Sequence, residues 1–382
     1  AYADYMWSMM DDFRDNARRL YGATGIFVPS RSSDSGKTYH YSAWHPHLFW
    51  KAGGAWVSQF FYDYWQYTGD ERFLKERAIP FMLASAKFLS FILTRDEEGK
   101  YMFVPCYSPE NAPPGGRQQQ LTINATMDVG SAKQLFRNLI RLAELGYIEN
   151  PKTELWKEIV VGLPAYAVDE SGDLKEWIWP AHGNNNNHRH ASHLYPLFHE
   201  VDPDFKKDPQ LRAAAVTAIE NRLKWRRTAG KGWEMSFGLV QLGLAAAHLG
   251  DTRHAYECVD ALCNFYWSPS FTSYHNPGAI FNVDICGGLP ALVTEMILQS
   301  SPDEITLLPA LPEQWPCGEV RGVRTRCGAI VDLSWKKGEP VAGVFRAERK
   351  TSFRLRYRDR IWSLNLEAGQ KEEIDAKADQ ET

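Results

Sequence analysis

The chain has 382 residues, 44% of them hydrophobic and 24% charged, the composition of an ordinary globular protein of one large domain or two. A formal net charge of −4 gives no attraction to nucleic acid or to an anionic membrane, and no run of about 18 apolar residues offers a membrane span. The six cysteines show no CxxC pair and no zinc spacing, so they imply no disulfide framework and leave the redox compartment open.

The chain opens Ala1-Tyr2-Ala3-Asp4, without Met and already with helical character, which reads as a cut inside a longer protein. A helix is expected over 3–20, stopped by Tyr21-Gly22. After a Gly, Ser and aromatic loop from Ala23 to His47, the next helix carries Leu48, Ala52, Ala55, Trp56, Gln59 and Phe60 and ends at Thr68-Gly69. Asp70 then caps a helix from Glu71 to about Thr94. The same device, Leu249-Gly250-Asp251, joins helices at 234–249 and 252–265. Gly at C′ followed at once by an Asp N-cap makes a tight αα-hairpin, and two copies argue for repeated helical hairpins. Further helices are expected at 126–146, 151–165, 208–227 and 288–299, and the segment 235–249, apolar nearly all round, belongs deep in the fold.

Long loops at 23–47, 95–125, 170–200 and 266–287 hold most of the unusual polar residues, and loops of that length are usually functional. After Ser301 the period changes. Phe353, Leu355 and Tyr357 alternate with arginines, and Trp362, Leu364 and Leu366 alternate with Ser363 and Asn365, the pattern of half-buried antiparallel strands. The expected organisation is a helical domain over 1–301 and a small β domain over 302–382, with Ala376–Thr382 as a frayed end.

Four stretches could carry chemistry. Asp284 lies between Val283 and Ile285 and ahead of Gly287-Gly288. It reads either as a carboxylate on a cleft floor, held by close backbone packing, or as a cap of the following helix. Glu110, in Ser108-Pro109-Glu110-Asn111, sits in a stiff proline-rich loop. Near aromatic walls it would have a raised pKa and serve as a general acid; otherwise it is a solvated loop glutamate. His188-Arg189-His190-Ala191-Ser192-His193 follows a run of asparagines, Asn184 to Asn187. Its histidines invite a metal reading but show no fourth ligand or second shell, so hydrogen bonding of a hydroxyl-rich substrate by Arg189 and His190 is the better reading, with structural capping by His193 close behind. Glu234, after Trp233, suits a helix N-terminus, with a wall position facing a cleft as the alternative. Fourteen Trp and 17 Tyr would supply the stacking faces of a sugar cleft or the bulk of a helical core. Paired, Glu110 and Asp284 are the two carboxyls that glycoside hydrolysis needs.

Those stretches occur in order with Asn124-Ala125-Thr126-Met127-Asp128, Glu176-Trp177, Phe281-Asn282-Val283-Asp284, Leu307-Leu308-Pro309-Ala310-Leu311-Pro312 and Trp315-Pro316. The set resembles glycoside hydrolase family 95, a family of inverting α-L-fucosidases with some α-L-galactosidases. The resemblance implies an (α/α)6 barrel followed by a β-sandwich-like domain. It also implies an oligosaccharide or glycoconjugate substrate, and no metal or organic cofactor. It assigns the general acid to Glu110 and the activation of water to Asp284, with Arg189, His190, Trp56 and Asn282 around the sugar. The chain departs from the family at Ile285-Cys286-Gly287-Gly288, where Ala-Asn-Phe-Gly is usual, and it shows no match to the Asn-x-Asn pair that holds the family's water. An α-L-galactosidase and a non-catalytic carbohydrate-binding protein are the alternatives.

Overall fold

The computed structural model describes residues 1–38, 45–115, 120–149, 152–228 and 234–375. Trp233 and the expected frayed end Ala376–Thr382 lie outside these residues. The chain forms two compact units. The first comprises Ala1–Trp65, Asp70–Pro196 and Asp202–Trp225, and the second Gln66–Gly69, Leu197–Val201 and Arg226–Thr382.

In the first unit the expected opening helix is two, α1 (Tyr2–Ser8) and α2 (Met10–Tyr21), because Met9 at φ −97° and ψ 5° breaks the helical run. Met10, Phe13 and Ala17 are buried along one face of α2, and Gly22, at φ +62°, ends it in the left-handed conformation that glycine favours. Helix α3 (Gly53–Thr68) starts later than the sequence suggests. Ahead of it stands a 3-10 turn, His47–Phe49, and a Cβ on Gly53 would lie 2.4 Å from the Val28 carbonyl oxygen. Helix α4 (Glu71–Phe73) passes through a π turn, Leu74–Ala78, into α5 (Ile79–Ile92), and Asp70 caps the start, its Oδ1 accepting the Phe73 N–H at 2.9 Å. A short hairpin of β1 (Thr94–Arg95) and β2 (Tyr101–Met102) precedes α6 (Thr126–Glu144), α7 (Thr153–Gly162), α8 (Pro203–Lys207) and α9 (Pro209–Thr228). The five-residue α8 is too short to show a period in sequence. Its place is set by charge, with Arg137 of α6 pairing with Asp202 at 2.7 Å and Asp204 at 2.9 Å, and Lys133 with Asp204 at 3.0 Å.

The second unit contains the hairpin α10 (Ser236–Leu249) and α11 (Thr252–Phe265). Gly250 at φ +74° turns the chain and Asp251 accepts the His254 N–H, as the Gly-Asp spacing predicts. Helix α10 is buried almost all round. Glu234 precedes α10 and has no place in its first turn, a correction to the sequence reading. A small hairpin, β3 (Tyr274–Asn276) and β4 (Ala279–Phe281), leads to α12 (Asp284–Ile297). That helix starts at Asp284 instead of after the glycine pair, so both glycines fall inside it. Of the two, Gly288 is tightly placed, since a Cβ there would lie 2.7 Å from Val240 Cγ2 of α10. Gly243 of α10 admits Leu292 of α12 in the same way, its notional Cβ lying 2.4 Å from Leu292 Cδ2.

Strands follow directly: β5 (Leu298–Ser301), β6 (Glu304–Leu307), β7 (Cys317–Arg324), β8 (Ala329–Lys336), β9 (Glu339–Ala347), β10 (Thr351–Tyr357), β11 (Arg360–Leu366) and β12 (Lys371–Asp375). They form two four-stranded sheets, ordered β11-β10-β6-β5 and β12-β9-β8-β7. Every neighbouring pair is antiparallel except β10 with β6, where Leu355 lies opposite Ile305 in a parallel register. Phe353, Leu355 and Tyr357 point into a shared core with Ile305, Leu333 and Phe345, which is the alternation read from sequence. Among the described residues before Leu298 the only strands are the two short hairpins, so the chain is mainly helical with a C-terminal region of small sheets.

Candidate active site

Glu110 stands on a loop stitched to its neighbours. Cys106 and Thr122 exchange two backbone hydrogen bonds, of 2.8 and 2.9 Å, and the Asn111 N–H donates to the Ser108 carbonyl at 2.7 Å, folding the chain over Pro109-Glu110. The Ser192 hydroxyl, from the stretch that follows the asparagine run, donates to the Pro109 carbonyl. The Glu110 side chain is 13% exposed and lies among four cationic or ionisable groups. Oε1 is 3.3 Å from His47 Nε2 and 3.4 Å from Arg31 Nη2. Oε2 pairs with the Arg189 guanidinium and lies 3.4 Å from His190 Nε2.

This environment corrects the expectation of a raised pKa. Burial alone pushes Glu110 up, but donation from His190 and His47, together with the charges of His190 and Arg189, outweighs it and holds the carboxyl far below the usual range. The side chains that reach Glu110 are arginines and imidazoles. Arg31 and His47 were not singled out in the sequence, because a single Arg in a serine-rich loop and a His before a helix carry no pattern.

Behind this loop lies a wholly buried carboxylate, Glu176. It accepts the Ser108 hydroxyl at 2.8 Å, Asn111 Nδ2 at 2.5 Å and Arg222 Nη2 of α9 at 2.5 Å. The asparagine run completes the lattice. Asn184 Oδ1 accepts the Glu176 N–H at 2.8 Å, the Asn185 carbonyl takes Asn111 and Arg222, and Asn186 Nδ2 donates to Asp173 at 2.5 Å. Asp128 of the Asn124–Asp128 stretch is also fully buried; burial pushes its carboxyl up, against the pull of Lys51.

The three histidines expected to invite a metal do not converge. His190 faces Glu110, His188 stacks on His190 at 5.2 Å between ring centroids, and His193 is buried, where desolvation pushes its pKa down. Among the described residues the potential ligand atoms that gather are those of His45, His47 and Glu110, within 4.8 Å of one another. Arg31 and Arg189 hold the same carboxylate, and two guanidiniums beside it oppose a divalent cation.

The structure thus brings Glu110, Arg189 and His190 together in the first unit. Trp56, on α3, packs edge-on to Trp50 and Tyr195 at 5.9 and 6.1 Å. Asp284 and Asn282 belong to the second unit. Asp284 is half-buried at the head of α12, and its N–H donates to Asn282 Oδ1 at 2.6 Å. The cap position is taken by Val283, so the carboxylate of Asp284 is not the helix cap. Val283 is 62% exposed and Ile285 is buried, which places Asp284 where α12 emerges from the core of its unit.

The model of the glycosyl hydrolase family 95 catalytic domain matches residues 1–297, and that of the family's C-terminal domain matches residues 299–382. The chain belongs to glycoside hydrolase family 95. "Alpha-L-fucosidase 2" of Arabidopsis thaliana is 30% identical over 372 residues, covering 93% of this chain and 43% of that protein. "Probable alpha-fucosidase A" of Aspergillus niger is 23% identical, covering 84% of this chain and 42% of its own length. The family 95 chain therefore spans less than half the length of these relatives. Among solved structures, "Putative kojibiose phosphorylase from human microbiome" superposes with a TM-score of 0.65 at 13% identity, over 98% of this chain and 56% of that one, a likeness of fold.

Proposed function

We propose that this family 95 chain carries the active site of an inverting, exo-acting α-L-fucosidase built on an (α/α)6 barrel, with the helical and β domains divided near residue 301. Glu110 donates a proton to the glycosidic oxygen, and Asp284 polarises the water that attacks from the opposite face. Arg189, His190, Trp56 and Asn282 surround the sugar. The observation that carries this reading is the cage around Glu110: a carboxylate at the tip of a braced loop, with the Arg-His pair of a separate segment on one of its oxygens.

A carboxylate so held is ionised at rest, and the substrate changes that. When sugar hydroxyls draw the hydrogen bonds of Arg189 and His190, the opposition to burial falls to His47 and Arg31 on the other oxygen, and Glu110 moves toward its protonated form, the state that a general acid requires. The test is hydrolysis of a nitrophenyl sugar panel by the full-length protein, and of an unactivated α-L-fucoside by that protein and its Glu110→Gln variant. Turnover of the α-L-fucoside is expected, with a loss of about 10²–10⁴-fold on unactivated fucosides in the variant and sugar binding kept within about tenfold. Preferential turnover of the α-L-galactoside would reassign the sugar, and binding without turnover of any member would make the chain a carbohydrate-binding protein.

A further inference from the structure

We propose that Glu176, clamped by Arg222, is a positioning residue that sets the aim of Glu110. The inference rests on the reading of Glu110 as proton donor and adds a residue buried behind its loop. Glu110 occupies one position of the tetrapeptide Ser108-Pro109-Glu110-Asn111, and Glu176 grips that tetrapeptide at both ends, Ser108 through Oε1 and Asn111 through Oε2. One planar carboxylate therefore fixes the separation and orientation of the two residues that flank Pro109-Glu110.

Arg222 holds the clamp in turn. Its Nη2 donates to Glu176 Oε2, and its Nη1 donates to the Asn185 carbonyl at 2.6 Å, the same oxygen that takes Asn111 Nδ2 at 2.9 Å. Glu176 and Arg222 are each 1% exposed, so the pair is sealed from water and its geometry is not softened by solvent. The backbone of Glu176 is fixed as well, its carbonyl accepting the Thr126 N–H at the start of α6 at 3.0 Å. A buried ion pair adds little net stability over a well-packed apolar pair, but it imposes geometry. Here the geometry imposed is that of the proposed acid's loop, where a displacement of about 1 Å costs on the order of 10²-fold in rate.

The leaving group distinguishes this role from a purely structural one. A proton donor matters for a poor leaving group and not for one that departs unaided. The full-length protein and its Glu176→Gln, Ser108→Ala and Glu110→Gln variants are compared on an unactivated α-L-fucoside and on α-L-fucosyl fluoride. Glu176→Gln is expected to lower kcat on the fucoside by about 10–100-fold, with KM within about threefold and the fluoride rate within about threefold; Ser108→Ala is expected to show the same selectivity with a smaller loss. Equal losses on both substrates, or full activity on the fucoside, in variants whose circular dichroism matches the parent would overturn the positioning role while Glu110→Gln keeps its leaving-group signature. If Glu176→Gln does not fold, Ser108→Ala decides. A Glu110→Gln variant with no leaving-group dependence would remove the proposed acid and the clamp's role with it.

Discussion

At the scale of single residues the chemistry turns on how one carboxylate is surrounded. Glu110 faces Arg31 and Arg189 with His47 and His190. Its pKa therefore lies below the ordinary value of 4.5. A depressed carboxylate stabilises the fold fully above its unfolded pKa, and that contribution disappears as pH falls through the folded one. The Glu110→Gln variant should accordingly be less stable than the parent at pH 7 by about 1.5–3 kcal/mol, the worth of charged hydrogen bonds. The gap should narrow below about pH 4.5, where the unfolded chain already binds the proton. Urea unfolding at pH 7 and pH 3.5 measures both values, and an identical gap at the two would show that charge plays no part. The same environment predicts a split in kinetics. The alkaline limb of kcat/KM reports the free enzyme and should lie at lower pH than that of kcat, which reports the complex with substrate. Coincident limbs would mean that substrate does not shift the acid.

Between elements, helix contacts are governed by small residues. Gly287 and Gly288 are adjacent in α12 and identical in sequence terms, but their surroundings differ. A Cβ on Gly288 would meet Val240 Cγ2 at 2.7 Å and Cγ1 at 2.8 Å, whereas one on Gly287 has nothing within 4 Å. Gly288→Ala should cost about 1–3 kcal/mol through overpacking against α10. Gly287→Ala should be neutral or stabilising by up to about 1 kcal/mol, because alanine replaces glycine inside a helix with room to spare. Chemical denaturation of the two variants separates these outcomes, and equal effects would show that α10 and α12 are not in contact as described. This pair also shows what a sequence can suggest and what it cannot: two glycines before an apolar run read as the approach to a helix, whereas α12 runs through both and, of the two, Gly288 packs closely on α10.

For the whole molecule, the proposed reaction requires two carboxyls to act on one bond. Inversion needs about 6.5–9.5 Å between them, and retention about 5–5.5 Å. The full-length protein acting on an α-L-fucoside should release the β-anomer first, which proton NMR resolves before mutarotation; initial release of the α-anomer would exclude water activation by Asp284 as proposed. By itself the sequence determined the helices with strong periodicity, the Gly-Asp hairpin at Gly250-Asp251, the cap at Asp70 and the alternation of β10 and β11. Each is encoded by residues within a few positions of one another, where propensity, capping and side-chain period act. It also determined the family, through motifs held in order. Tertiary structure alone decided the state of Glu110, since Arg31 and Arg189 each lie 79 residues away in the chain. It alone revealed the Glu176–Arg222 clamp and the stitching role of the asparagines. A pKa and a braced loop depend on the charges and hydrogen bonds that folding brings within a few ångströms, and that proximity is not written in any local stretch of the chain.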